Sequence, residues 1–231
     1  MEDPKQLILA DQNLKDIDPV MDAEIDIAIG EENDYEIKIP RDEWRPEYTF
    51  GNVFYVKDTE YGGIVGEVDT STAEDTISLL GRTWRGMLDK KIIRPPAGQD
   101  YRKVSGELNT VLGDLIAEQF DDYFVVSQDD TGVSLTNYQF DRYCTLLAGA
   151  TKMLQSVGCR LRITYKQQER GQPGYVELSA VPVVDYSEKI ELSQDSQLNF
   201  TFKNCRNGVN HLICLGKGEL QERQVIDLYV Q

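Results

Sequence analysis

The chain has 231 residues, 40% hydrophobic and 28% charged, with 24 Lys and Arg against 40 Asp and Glu, a formal charge of −16. That length suits one large domain or two to three small ones, and it needs no metal or disulfide staple to fold. The acidic balance argues against a protein that grips nucleic-acid phosphates or an anionic membrane, since both need clustered cations.

No apolar run approaches the roughly 20 residues of a membrane span. MEDPKQLILADQNL has no basic stretch ahead of a long apolar core, so a signal peptide is not expected. Cys144, Cys159, Cys205 and Cys214 form no C-x-x-C and lie in or beside apolar runs. They are expected as reduced thiols of a chain made in a cytosol. A disulfide framework or zinc site is the alternative, with His211 the one histidine.

Residues 1–36 hold twelve acids against Lys5 and Lys15, a local charge of −10. Within this acidic third, Ile25, Ile27 and Ile29 alternate with polar residues. Gly30 to Asp34 reads as a turn, and Tyr35, Ile37 and Ile39 alternate back, which predicts a hairpin. Val53–Val56, a strand opened by Gly62 and Gly63, and Thr76–Leu80 continue the β pattern. Short strands spaced by turns predict a small β-barrel or sandwich over residues 1–98, closed by Pro95, Pro96 and Gly98.

The period then changes. Val104, Leu108, Val111, Leu112, Leu115 and Ile116 predict a helix capped by Ser105. Tyr123–Val126 reads as a strand, with Gly132–Leu135 as its possible partner. Thr136–Gln139 fits a capping box, with a long amphipathic helix from Phe140 to Val157 stopped by Gly158. Leu161, Ile163 and Tyr165 alternate, Glu169–Gly174 turns, and Val176, Leu178 and Ala180 alternate back. The expectation for 99–185 is an α+β domain with two helices on a small antiparallel sheet.

From 186 the β pattern returns. Ile190 and Leu192, then Leu198, Phe200 and Phe202, precede His211–Leu215 and Val225–Val230, with Gly216, Lys217 and Gly218 between the last two. A final strand with no closing partner reads as a sheet left open, to be covered by another subunit or by further chain.

Catalytic motifs are missing. A hydrolytic triad would have to use His211, which opens an apolar run and reads as structural. Gly216–Glu219 lacks P-loop spacing, and no G-x-G-x-x-G follows a strand. Asp11, Asn13, Asp16, Asp18 and Asp22 imitate a calcium loop, but the sixth position is Asp16 rather than Gly and the twelfth is Asp22 rather than Glu. Asp121-Asp122 and Asp129-Asp130 sit beside turns, where solvated acids are ordinary. No catalytic residue, cofactor or metal site is expected. Trp44 and Tyr48 beside Pro46 are the one hint of carbohydrate binding, with packing as the plainer reading.

The most distinctive stretches are TEYGGIV (59–65), LGRTWRGML (80–88) and KIIRPP (91–96). Gly81 and Gly86 bracket a turn out of a strand. Arg82 and Arg85 are spaced to share one helical turn, and Trp84 is placed to anchor a core or an interface. Two readings stand together: a barrel end plugged by Trp84 with both arginines bonded to carboxylates or carbonyls, or an inter-subunit clamp in which they meet acids of a neighbour.

These stretches, together with NHLICLGKGELQERQVIDLY (210–229), resemble the tail-tip hub, or minor tail, proteins of long-tailed bacteriophages and prophages. The resemblance runs in order from Ile25 to Tyr229 and suggests a member shortened at its C-terminus. It implies a hub-like chain, α+β and mainly β: a first barrel at 1–98, an α+β domain at 99–185 and the start of a second barrel at 186–231. It further implies a homotrimer that joins a sixfold tail tube to a threefold tip while DNA passes through. The implied partners are tail tube or distal tail ring proteins, a tape-measure protein and a tip fibre or spike. The implied place is the virion tail tip, after assembly in the host cytoplasm.

The residues that carry the resemblance, and with it a structural or inter-subunit role, are Glu60, Tyr61, Gly62, Gly63, Gly81, Arg82, Trp84, Arg85, Gly86, Pro95, Pro96, Asn210 and His211. Alternatives are a tail-associated cell-wall hydrolase and a module binding host-surface carbohydrate.

Overall fold

Alternation of apolar and polar residues builds seven strands in the first third: β1 (Leu7–Ala10), β2 (Asp16–Pro19), β3 (Glu24–Ile27), β4 (Asp34–Pro40), β5 (Val53–Val56), β6 (Gly62–Thr70) and β7 (Thr76–Thr83). They form one antiparallel sheet in the order β2-β1-β5-β6-β7-β4-β3. The computed structural model describes residues 6–30, 32–120, 123–167, 172–185, 211–217 and 223–229. Contacts divide the chain into two units, Met1–Val184 and Asp185–Gln231.

The expected hairpin is present, with Ile25 opposite Ile37 and Ile27 opposite Tyr35. The expected closed barrel is not: the sheet is open, and its ladder stops at β2 and β3. Alternating antiparallel pairings make these two edge strands run in the same direction. They are nevertheless joined directly by Val20–Ala23, a connection that reaches at most about 17 Å. The sheet is therefore rolled until its edges approach without pairing. Leu9, Ile37, Ile39, Phe54 and Leu79 fill the roll, and Val20 of the connection joins them. Trp44 stands edge-on to buried Tyr48 at 5.5 Å and packs on this cluster as well.

β5 is buried along its whole length because its two faces meet different layers. Phe54 and Val56 point into the roll, while Val53 and Tyr55 join a second core. That second core is built from α1 (Trp84–Asp89), α2 (Leu108–Ala117), α3 (Leu146–Gln155) and three strands: β9 (Phe124–Val126), β11 (Cys159–Lys166) and β12 (Tyr175–Pro182). β8 (Lys103–Glu107) and β10 (Ser134–Gln139) form a separate two-stranded ribbon.

Several local expectations change. Val104 and Ser105 lie in β8, and the helix expected there, α2, begins only at Leu108. Glu107 is its cap, accepting from the Thr110 N–H at 2.8 Å. Gly106 takes a φ of +138° that no helix contains. Thr136–Gln139 is strand rather than capping box, and Asn137 and Tyr143 both have positive φ. The second long helix therefore starts only at Leu146, with the Thr145 hydroxyl accepting from the Ala148 N–H at 3.2 Å. Gly158 has the left-handed φ of 70° expected beyond a helix end.

β11 and β12 pair antiparallel, as the two alternating runs predict, with Ile163 opposite Leu178. β9 pairs with β12 in parallel and not with 132–135, so the small sheet is mixed. In the second unit, β13 (His211–Leu215) and β14 (Val225–Tyr229) pair antiparallel. The strand expectations at Ile190, Leu192, Leu198, Phe200 and Phe202 lie outside the described residues, as do Cys205, Asn210 and Gly218.

Candidate functional site

Two of the distinctive stretches, TEYGGIV and LGRTWRGML, converge on one junction between the roll and the helical layer. The turn Val56–Tyr61 begins it. Thr59 Oγ1 donates to the Val56 carbonyl at 2.7 Å and accepts from the Tyr61 N–H at 3.1 Å. The same turn is sewn to β11: the Asp58 N–H donates to the Tyr165 carbonyl at 3.1 Å, and the Tyr165 N–H donates to the Thr59 carbonyl at 2.8 Å.

Gly62 and Gly63 then present opposite faces of β6. A Cβ on Gly62 would lie 2.7 Å from the Trp84 ring and 2.6 Å from the Phe54 carbonyl. On Gly63 it would lie 2.1 Å from the Arg82 carbonyl and 2.8 Å from Tyr35 Cε1. Gly81 meets the same ring from β7, where a Cβ would sit 2.7 Å from the Tyr35 hydroxyl and 2.0 Å from the Ile64 carbonyl. The pair of glycines is thus a slot for Tyr35 inside the roll, while Gly62 is the seat of Trp84 outside it. These glycines answer to close approach of neighbouring atoms, the usual reason for glycine within a strand.

At Thr83 the chain passes from β7 to α1. The Thr83 Oγ1 accepts from the Gly86 N–H at 3.3 Å and donates to the Asn33 carbonyl at 2.8 Å. Helix α1 lies so close to that carbonyl that a Cβ on Gly86 would be 2.2 Å from it. Arg82 is in the strand and Arg85 in the helix, so the expected shared helical turn does not form; the cap at Thr83 separates them. Arg85 makes a two-point ion pair with Glu60, Nε to Oε1 at 2.9 Å and Nη2 to Oε2 at 3.0 Å. Its Nη2 also reaches the Leu161 carbonyl at 3.4 Å. Arg82 is half-buried and has no side-chain hydrogen bond among the described residues.

Trp84 is 1% exposed. Its ring lies 6.1 Å from that of Tyr165, which stacks on Tyr55 at 3.6 Å. The Tyr55 hydroxyl donates to Asp16 Oδ1 at 2.6 Å, tying the roll's edge strand to the same cluster. Among the described residues, three buried polar atoms lack a hydrogen-bond partner: Trp84 Nε1, Tyr35 Oη and Tyr123 Oη. Burial pushes the Tyr35 hydroxyl well above the usual phenol range.

Pro96 is exposed and Pro95 half-buried. They follow Ile93, whose N–H donates to the Cys144 carbonyl at 2.9 Å. His211, on β13, stacks on Tyr229 at 4.4 Å and lies 2.7 Å from Asp227 Oδ1. The Asp11 carboxylate accepts from the Asn13 and Lys15 N–H groups at 2.8 and 3.0 Å, which makes the calcium-loop imitation a hairpin turn. Among the described residues no group of three or more His, Cys, Asp or Glu is placed to hold a metal ion.

Asn33 and Tyr35 are the members of the junction that the motif analysis missed. Asn33 carries a φ of 56° and bonds Gly30 through both its side-chain oxygen and nitrogen. Its one sequence signal was its place at the end of a turn.

The chain matches no protein-family model and no curated protein. Solved structures similar to it include the tail protein from Neisseria meningitidis MC58, at 17% identity and a TM-score of 0.39 over 75% of this chain and 45% of that one. A second is the 43 kDa tail protein of prophage MuSo2 from Shewanella oneidensis, at 14% and 0.46 over 78% and 56%. A third is prophage tail protein gp18 from Listeria monocytogenes EGD-e, at 11% and 0.42 over 91% and 58%. The chain spans about half the length of the structures it matches, and the likenesses are partial.

Proposed function

We propose that this chain is a non-enzymatic structural subunit of a bacteriophage or prophage tail, at the tail-tip hub. In this reading copies of it form a trimeric ring that joins a sixfold tube to a threefold tip and lets DNA pass. The observation that carries the reading is the fate of the motifs that resemble hub proteins. TEYGGIV and LGRTWRGML build one packed junction that holds the roll on the helical layer. Their charged pair, Glu60 and Arg85, is bound to itself through two contacts at 2.9 and 3.0 Å. A rigid joint of this kind suits a subunit that must hold its shape within a ring. The formal charge of −16 suits a bore past which DNA slides, since carboxylates repel phosphates.

Native mass spectrometry of the purified chain tests the assembly. Three copies per particle are expected. A single copy at every concentration would count against ring formation by this chain. A zymogram on bacterial cell wall tests the hydrolase alternative, and no clearing is expected.

A further inference from the structure

Two surfaces of the larger unit are exposed among its described residues, and their charges are opposite. The first is the open edge at β3. This strand pairs with β4 alone, so its outer edge carries unpaired main-chain groups. Asp22, Glu24 and Asp26 are exposed along it, with no ion-pair partner among the described residues. Asp26 sits directly opposite Glu36, a like-charge pair, while Lys38 stands opposite Glu24 and 3.7 Å from Glu36, so one cation faces this edge and its net charge remains acidic. Met21, in the connection before β3, is 54% exposed beside these acids, whereas Ile25 alternates to the other face, opposite Ile37 and against Leu7 and Phe54.

The second surface is the outer face of the β9-β11-β12 sheet. Its inner face packs on α2 and α3. Its outer face carries exposed Arg160 and Arg162 with half-buried Lys166, against the single acid Glu177. Arg160 has no ion-pair partner among the described residues. Val125, 41% exposed, lies on the same face opposite Glu177.

We propose that the acidic β3 edge of one copy docks on the basic outer sheet face of a second copy. Each surface combines an exposed apolar side chain, Met21 or Val125, with charge predominantly of one sign. Pairing either with itself would set like charges together, which costs several kcal/mol in an interface. The contact is therefore head-to-tail, the kind that closes into a ring when the rotation fits. The chain itself supplies both halves, which favours a second copy over an unrelated basic partner. This inference rests on the reading that copies assemble. It also assigns Asp22, Glu24 and Asp26 to the contact between copies and leaves any bore to acids elsewhere.

Sedimentation velocity of the full chain over a concentration series, at about 0.05 and about 0.5 M salt, tests it. Three variants are compared: E24K/D26K, R160E/R162E, and all four substitutions together. Each two-residue variant should raise the association midpoint by about tenfold or more. The fourfold variant, with both charges exchanged, should return to within about threefold of wild type. All four side chains are exposed, Arg162 giving up a 3.1 Å bond to the Ser179 hydroxyl, and near-ultraviolet circular dichroism should show native folding for each variant. Two-residue variants that associate like wild type would overturn the docking while leaving self-assembly standing. So would a folded fourfold variant that stays dispersed. A wild-type chain that never associates would remove both the docking and the assembly reading.

Discussion

Gly63→Ala is the sharpest test of the junction. The new Cβ would fall 2.1 Å from the Arg82 carbonyl oxygen and 2.8 Å from its carbon. Both are backbone atoms of the neighbouring strand, so no rotamer change relieves the clash. β6 and β7 must separate where Gly63 opposes Thr83 and Ile64 opposes Arg82, and Tyr35 must leave its slot. Overpacking costs about 1–3 kcal/mol, and each weakened ladder bond adds about 1 kcal/mol. The sum is about 3 kcal/mol. In a unit of 184 residues, that lowers Tm by roughly 6–12 °C. Gly66→Ala, on the same strand, is the control. Its nearest neighbour is the Leu80 carbonyl at 3.9 Å, so it should stay within about 1 kcal/mol of wild type. Differential scanning calorimetry reads both. A Gly63→Ala chain melting within a degree or two of wild type would refute the slot.

The other predictions concern neighbours of the junction and the helix cap. Trp84→Ala should cost about 3–5 kcal/mol in urea denaturation, because the ring is buried between Gly62 and Tyr165; a loss below about 1 kcal/mol would contradict that burial. Arg85→Ala should destabilise by about 1–3 kcal/mol, since it leaves Glu60 half-buried and unpaired, and Arg85→Lys should recover only part because the two-point geometry is lost. Burial alone would raise the Glu107 carboxyl, but hydrogen bonds from the Thr131 hydroxyl and N–H and the Thr110 N–H outweigh it and hold it at about 2. A lowered folded pKa contributes stability above the ordinary carboxylate range that is lost as pH falls toward 2. Glu107→Gln should therefore flatten the acid limb of a stability–pH curve, and an unchanged limb would show that the cap does not titrate as described.

The roll was legible where burial is one-sided. Ile37 and Ile39 alternate with charged or half-buried residues, β11 shows the same period over its whole length, and β12 shows it up to Leu178. β2 was not legible, because Asp16-Ile17-Asp18-Pro19 is an exposed edge with no buried face to leave a pattern. The helix boundaries failed for a different reason. Val104 fits a 3.6 period by chance, and only the φ of Gly106 reveals that the chain is still extended there. Thr136–Gln139 has the composition of a cap but serves as a strand partner to β8. At the junction, Gly62, Trp84 and Arg85 stood out as types, yet Tyr35 and Asn33 did not. The contacts that bring them there join residues some fifty positions apart, as in the bond from Thr83 to Asn33.

The assembly itself is tested most directly by electron microscopy of the purified full chain at high concentration. The account predicts threefold particles with a central bore in class averages. Single compact particles without a bore, under every condition in which the chain is folded, would contradict it.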